Sequence, residues 1–185
     1  HKTASLIKVN KIENLIIPRT VEHESIEYLI TSIARTDENI KSIKFSDDSA
    51  LNTIYSGAFS YSKIKEIYFP KSLRELKEGW CFEANYLTKI EISPLNGQFM
   101  MKEDKYLLGK TEPNNDEFDN LLFAVRDINE ISIPSNIKII SSYAFYKCKN
   151  LRRIEIPPNS NLQTIESCSF SSSKIEEISI PSNVS

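Results

Sequence analysis

The chain is 185 residues long, 40% hydrophobic and 26% charged, the balance of one soluble globular class with enough length to bury a continuous core. Its 23 basic side chains against 25 acidic ones leave a formal charge of −2, which excludes the basic field that nucleic acid or anionic lipid requires. No apolar run is long enough to span a bilayer, so no membrane insertion is expected within these residues.

Residues 1–11 read either as the tail of a preceding unit or as partly foreign sequence. IENLIIP (12–18) predicts a strand. In VEHESIEYLITSI (21–33), Val21, Ile26, Leu29, Ile30 and Ile33 fall close to one helical stripe, which predicts a helix and makes 12–39 an irregular N-terminal unit. His23 lies in that stretch, in HESIE. A zinc-binding H-E-x-x-H pair would need a second His where Glu27 stands, so a His23/Glu27 contact on a helix is expected instead.

From residue 40 onward one phrase recurs: IKSIKF…LNTIYSGAF (40–59), IKEIYFP…LRELKEGWCF (64–82), INEISIP…IKIISSYAF (128–145) and LRRIEIP…LQTIESCSF (151–170). It opens again as IEEISIP (175–181). The leading residues Ile40, Ile64 and Leu87, and again Ile128, Leu151 and Ile175, are 23 or 24 apart, with one step of 41 between Leu87 and Ile128. The units are therefore 40–63, 64–86, 128–150 and 151–174, with an enlarged unit at 87–127 and a truncated one at 175–185. A unit this short cannot bury its own apolar face and must stack on its neighbours.

In I-x-x-I-x-I the fourth and sixth residues, such as Ile43 and Phe45 or Ile131 and Ile133, lie two apart and share the buried face of a strand, while the third and fifth face outward. Pro at the seventh position (Pro70, Pro134, Pro157, Pro181) lacks an N–H and ends the strand. The pairs Leu51/Ile54, Leu73/Leu76, Ile137/Ile140 and Leu162/Ile165 are three apart, which predicts a helical or 3₁₀ turn on the far side of each coil. A small residue and Phe follow (Ala58-Phe59, Cys81-Phe82, Ala144-Phe145, Ser169-Phe170) and should stack as a ladder, the small residue letting backbones approach. The pattern reads as a leucine-rich-repeat solenoid, α/β in class, with a parallel sheet on one face. Residues 1–185 are taken as a single such domain.

The phrase L-x-x-I-x-I-P and the A-F opening of A-F-x-x-C resemble the BspA-like, treponemal-type leucine-rich repeats over about residues 40–185. YAFYKC (143–148) carries the second motif intact; Ser62, Asn85 and Ser173 stand elsewhere in the place of Cys148. The resemblance implies a right-handed solenoid on the surface of a bacterium or parasitic protist, used to adhere to host or neighbouring-cell proteins. It fixes the fold and leaves the ligand open.

Within the 41-residue step, QFMMK (98–102) and KYLLGK (105–110) flank Glu103-Asp104 as an inserted hairpin, and NLLFAV (120–125) offers a third strand. The acidic loop TEPNNDEFDN (111–120) presents Asn115, Glu117 and Asp119 at alternating positions. An EF-hand would want Gly where Asn120 stands, so these read as solvated turn residues and no metal is assigned. Cys81 reads as a buried apolar thiol in the slot of Ala58 and Ala144; a bridge between Cys148 and Cys168 is left open.

No G-x-S-x-G elbow, phosphate-cradling glycine cluster or zinc motif is found and nothing singles out a carboxylate dyad, so no catalytic residue and no cofactor are expected. What remains is the outward face of seven strands, on the order of 29 Å long at about 4.8 Å per strand. Its charged and aromatic positions are Lys44, Glu66, Tyr68, Lys89, Glu91, Glu130, Arg153, Glu155 and Glu177, candidates for binding a protein ligand such as a host matrix or cell-surface protein. From Glu66 to Glu177 the third positions alternate in sign, which would equally serve to stabilise the sheet. Tyr68 and Arg153 are the expected anchors. The favoured reading is a non-enzymatic adhesion module at the cell surface or secreted. The alternatives are an intracellular scaffold, suggested by unpaired cysteines and no visible secretion leader, and a non-catalytic arm of a larger enzyme. The sequon Asn183-Val184-Ser185 leans toward secretion.

Overall fold

A computed structural model describes residues 2–7, 12–182 and 184. His1, Asn183 and Ser185 lie outside them, so the sequon is not described. Two compact units, His1–Gly97 and Gln98–Ser185, divide the chain.

In the first unit the strands are β1 (Lys2–Leu6), β2 (Asn14–Ile17), β3 (Thr20–His23), β4 (Ile26–Ile33), β5 (Ser42–Phe45), β6 (Thr53–Ile54), β7 (Glu66–Phe69), β8 (Glu75–Leu76) and β9 (Lys89–Ile92). One parallel sheet has the order β2-β5-β7-β9 and keeps the repeat in register, aligning Leu15, Ile43, Ile67 and Ile90 across the ladder. All four are buried. This is the strand alternation the sequence shows, repeated once per coil.

The far side of each coil departs from expectation. Ile54 and Leu76, the second members of the three-apart pairs, sit in two-residue strands of another sheet, β1-β4-β6-β8, and no helix occurs among the described residues. The amides of Asn52 and Tyr55 donate to Thr31 and Ile33, and those of Arg74 and Lys77 to Asn52 and Ile54. Backbone groups bonded to the adjacent coil are unavailable to close a local helical turn, so stacking wins over the three-residue spacing.

The helix expected over 21–33 is instead a hairpin. β3 pairs antiparallel with β4, matching Val21 with Tyr28 and His23 with Ile26. Glu24 and Ser25 turn the chain at φ +51° and +59°, as a two-residue I′ turn requires. IEYLITSI is rich in β-branched and aromatic residues, and β4 also bonds to β1 and β6. With three strands to satisfy, the helical stripe loses. The His23/Glu27 contact disappears with it: Glu27 lies opposite Glu22 and accepts the Thr20 hydroxyl at 2.9 Å, while His23 Nε2 is 3.8 Å from Glu24.

After each far-side strand the chain makes a turn marked by two left-handed residues four apart: Gly57/Tyr61, Gly79/Glu83, Tyr143/Lys147 and Cys168/Ser172. These set the true register. Trp80-Cys81, not Cys81-Phe82, occupies the place of Ala58-Phe59, and Ala84, not Asn85, the place of Cys148. A large ring fills the small slot and a small thiol the ring slot, and both are buried. Trp80 packs edge-on to Phe59 at 6.0 Å and to Phe69 at 5.8 Å. The order of small and large is thus reversed in this coil.

The second unit contains β10 (Met100–Lys102), β11 (Tyr106–Gly109), β12 (Asn120–Ala124), β13 (Glu130–Ser132), β14 (Ile139–Ile140), β15 (Arg153–Glu155), β16 (Thr164–Ile165) and β17 (Glu177–Ile178). The inserted hairpin β10-β11, turned by Glu103 and Asp104 at φ +53° each, pairs antiparallel with β12. β12 then joins β14 and β16 in parallel, aligning Leu121, Ile140 and Ile165. The insertion thus extends the far-side sheet. β13-β15-β17 form the other parallel sheet. Phe145 and Phe170 stack at 5.3 Å, one step of the expected ladder. All three cysteines are free, with Cys81 and Cys148 buried and Cys168 exposed.

Candidate functional site

The outward positions lie on two sheets, one in each unit. In the first unit, Asn14 accepts the Ser42 hydroxyl at 2.8 Å, and Glu66 and Lys89 stand opposite one another in register. Lys89 Nζ lies 2.5 Å from Glu91 and 3.9 Å from Glu66, so this lysine is shared between two carboxylates. The hydrogen bond and charge of Lys89 hold the Glu91 carboxyl below its ordinary pKa. Tyr68 is paired in register with Glu91 and half-buried. Lys44 is exposed and stands opposite Ile16, which is 72% exposed.

In the second unit the backbone aligns Glu130, Arg153 and Glu177, and Ser132 with Glu155. All five side chains are exposed. Here the ladder of opposite charge does not close: among the described residues Arg153 makes no ion pair or side-chain hydrogen bond. Glu130, Ser132, Arg153 and Glu155 line a cleft of about 230 Å³ whose other wall is the hairpin turn, through Glu103 and Lys105. Those two are 3.7 Å apart. The sequence shows the hairpin but does not single out Glu103 and Lys105 for this face; the turn at Glu103-Asp104 was the available signal.

The acidic loop at 111–120 is built around one buried carboxylate. Asp119 is fully buried, accepting the Thr111 amide and hydroxyl, both at 2.8 Å, the Asn115 side-chain amide at 3.4 Å and Lys138 Nζ at 2.9 Å. Burial alone would raise its pKa, but the Thr111 donors and Lys138 outweigh it and hold the carboxyl below the usual range. Asn115 Oδ1 accepts the Glu117 amide at 3.2 Å. Among the described residues no group of three or more His, Cys, Asp or Glu is gathered as ligands for a metal ion. Nor is any helix there long and apolar enough to cross a membrane.

Parallel strands recurring once per coil, with apolar residues in register on one face, define a leucine-rich-repeat solenoid. The sequence matches the BspA type leucine rich repeat region in six copies, over residues 7–100 and 116–185. The chain belongs to that family. Among solved structures it is similar to the pneumococcal vaccine antigen PcpA, at 17% identity and a TM-score of 0.56, over 96% of this chain and 64% of that one. It is also similar to a leucine-rich repeat protein from Eubacterium ventriosum, at 19% identity and a TM-score of 0.52, over 83% of this chain and 53% of that one. The chain thus spans less than two thirds of the length of both. No curated protein matches it.

Proposed function

We propose that the chain is a non-enzymatic protein-interaction module that binds through its outward strand faces, with the Arg153 cleft as anchor. The observation carrying this reading is the contrast between the two faces. Lys89 is ion-paired with both Glu66 and Glu91, whereas Arg153 stands in register between two glutamates and, among the described residues, closes with neither. A purely structural charge ladder would be spent on itself. Arg is also the charged side chain that most often anchors an interface, since its planar fork binds a carboxylate in two places. At about 230 Å³ the cleft is below the usual range for a small-molecule pocket and suits one or two side chains of a protein. Lys44 and Tyr68 provide a second contact in the first unit.

Membership of the BspA type and likeness to a protein described as a vaccine antigen support a place on the cell surface, with a host matrix or cell-surface protein as partner. The test is surface plasmon resonance of the chain against immobilised fibronectin, laminin and fibrinogen. Binding to one of them that Arg153→Glu weakens about tenfold or more supports the reading; binding indifferent to Arg153→Glu and Tyr68→Ala, or none, opposes it. Three free cysteines favour a second reading, an intracellular scaffold. A cytosolic start in the complete gene would support that one.

A further inference from the structure

A second cleft, of about 540 Å³, lies in the first unit and is lined by Ile7, Arg35, Asp37, Glu38, Ser60 and Tyr61. It is more than twice as large as the Arg153 cleft and within the range that holds small ligands. We propose that it binds a neutral saccharide ring, a role independent of protein binding at the strand faces.

The lining resolves into groups that are spent and groups that are free. Thr36, also at the cleft, gives both its amide and its hydroxyl to the Ala58 carbonyl, at 2.8 and 2.9 Å. Asp37 Oδ1 accepts the amide and the side-chain amide of Asn39, at 2.8 and 3.1 Å. Arg35, Glu38, Ser60 and Tyr61 make no side-chain hydrogen bond or ion pair among the described residues. One donor fork, one acceptor carboxylate and two hydroxyls therefore remain around a single cavity. A polyhydroxylated ring offers donors and acceptors in that mixture.

The aromatic group supplies the rest. Tyr61 is 65% exposed and is braced edge-on against Phe82 at 6.5 Å and 88°. An exposed ring held by a neighbour can cover the apolar C–H face of a sugar while its hydroxyl stays in water. The charged lining has one guanidinium against two carboxylates, which disfavours an anionic ligand. The Asn39 amides hold Asp37 in place without removing its charge, and Arg35 offsets one of the two carboxylates, so the lining keeps a charge of −1. Its fork, carboxylate and hydroxyls then suit the donors and acceptors of an uncharged polyol ring rather than an anion.

The experiment is a titration of the full chain with glucose, galactose, mannose and N-acetylglucosamine, following backbone amide shifts by NMR, with choline and glycine as charged controls. At least one sugar should shift the amides of residues 35–38 and 60–61 with a millimolar Kd. Tyr61→Asn, in which the new residue accepts the left-handed backbone that position adopts, should weaken it about tenfold, and Glu38→Gln should weaken it too. Arg153→Glu should leave it unchanged. No shift with any sugar, a response to the charged controls alone, or sugar binding that survives Tyr61→Asn and Glu38→Gln would overturn the proposal.

Discussion

Lys138 Nζ lies 2.9 Å from Asp119 Oδ2, joining a fully buried carboxylate at the end of the 111–119 loop to a lysine of the next coil. The bond also ties the loop to the sheet, because the Lys138 amide donates to the Asp119 carbonyl at 2.8 Å. The carboxyl is held below its unfolded pKa, so its contribution is complete above the unfolded value and is lost as pH falls through the folded one. Denaturant titrations at descending pH should show the second unit losing stability in that acid window, and Asp119→Asn should flatten the loss. At neutral pH, Asp119→Ala should cost about 2 kcal/mol, because the half-buried Thr111 amide and hydroxyl and Lys138 all lose their acceptor.

Trp80 and Cys81 reverse the small-then-large order of Ala58 and Phe59. Trp80→Ala alone should destabilise the first unit by about 3–5 kcal/mol, the cost of deleting a buried ring. Adding Cys81→Phe rebuilds the Ala-Phe order of the neighbouring coil and should recover part of that loss. Chemical denaturation of the two variants measures both effects; recovery of none would mean that the coil register is set differently.

The Glu24-Ser25 turn separates the hairpin from the helix that the stripe at 21–33 suggests. Glu24→Asn with Ser25→Gly should raise stability by several tenths of a kcal/mol, since both new residues favour the left-handed backbone present there. In a helix interior the glycine alone would cost about 1 kcal/mol. The sign of the change in melting temperature decides between the two.

Much of the architecture was legible because it repeats. Ile43, Ile67 and Ile131 announce buried strand positions by period alone, and the hairpin at 98–110 shows itself through two short apolar runs around Glu103-Asp104. The far side was misread because Leu51/Ile54 fits a helical turn locally, while the bonds that override it come from the adjacent coil, 22 or so residues away. The Trp80 slip had a usable signal: Trp80 follows Leu76 by four residues, as Ala58 follows Ile54. Asp119 looked like a solvated turn residue because its partner Lys138 is remote in sequence. Alternation leaves Lys44, Glu130, Arg153 and Glu155 exposed but not Ser42, which is buried and bonded to Asn14; which charges pair, as Lys89 does, depends on side-chain geometry that the repeat does not encode.

The binding claim is tested most directly by hydroxyl-radical footprinting of the chain alone and in complex with whichever of fibronectin, laminin or fibrinogen it captures. Protection at residues 130–132, 153–155 and 103–105 is the expected result. Protection confined to the far-side strands at 139–140 and 164–165, or the failure of all three proteins to bind, would contradict it.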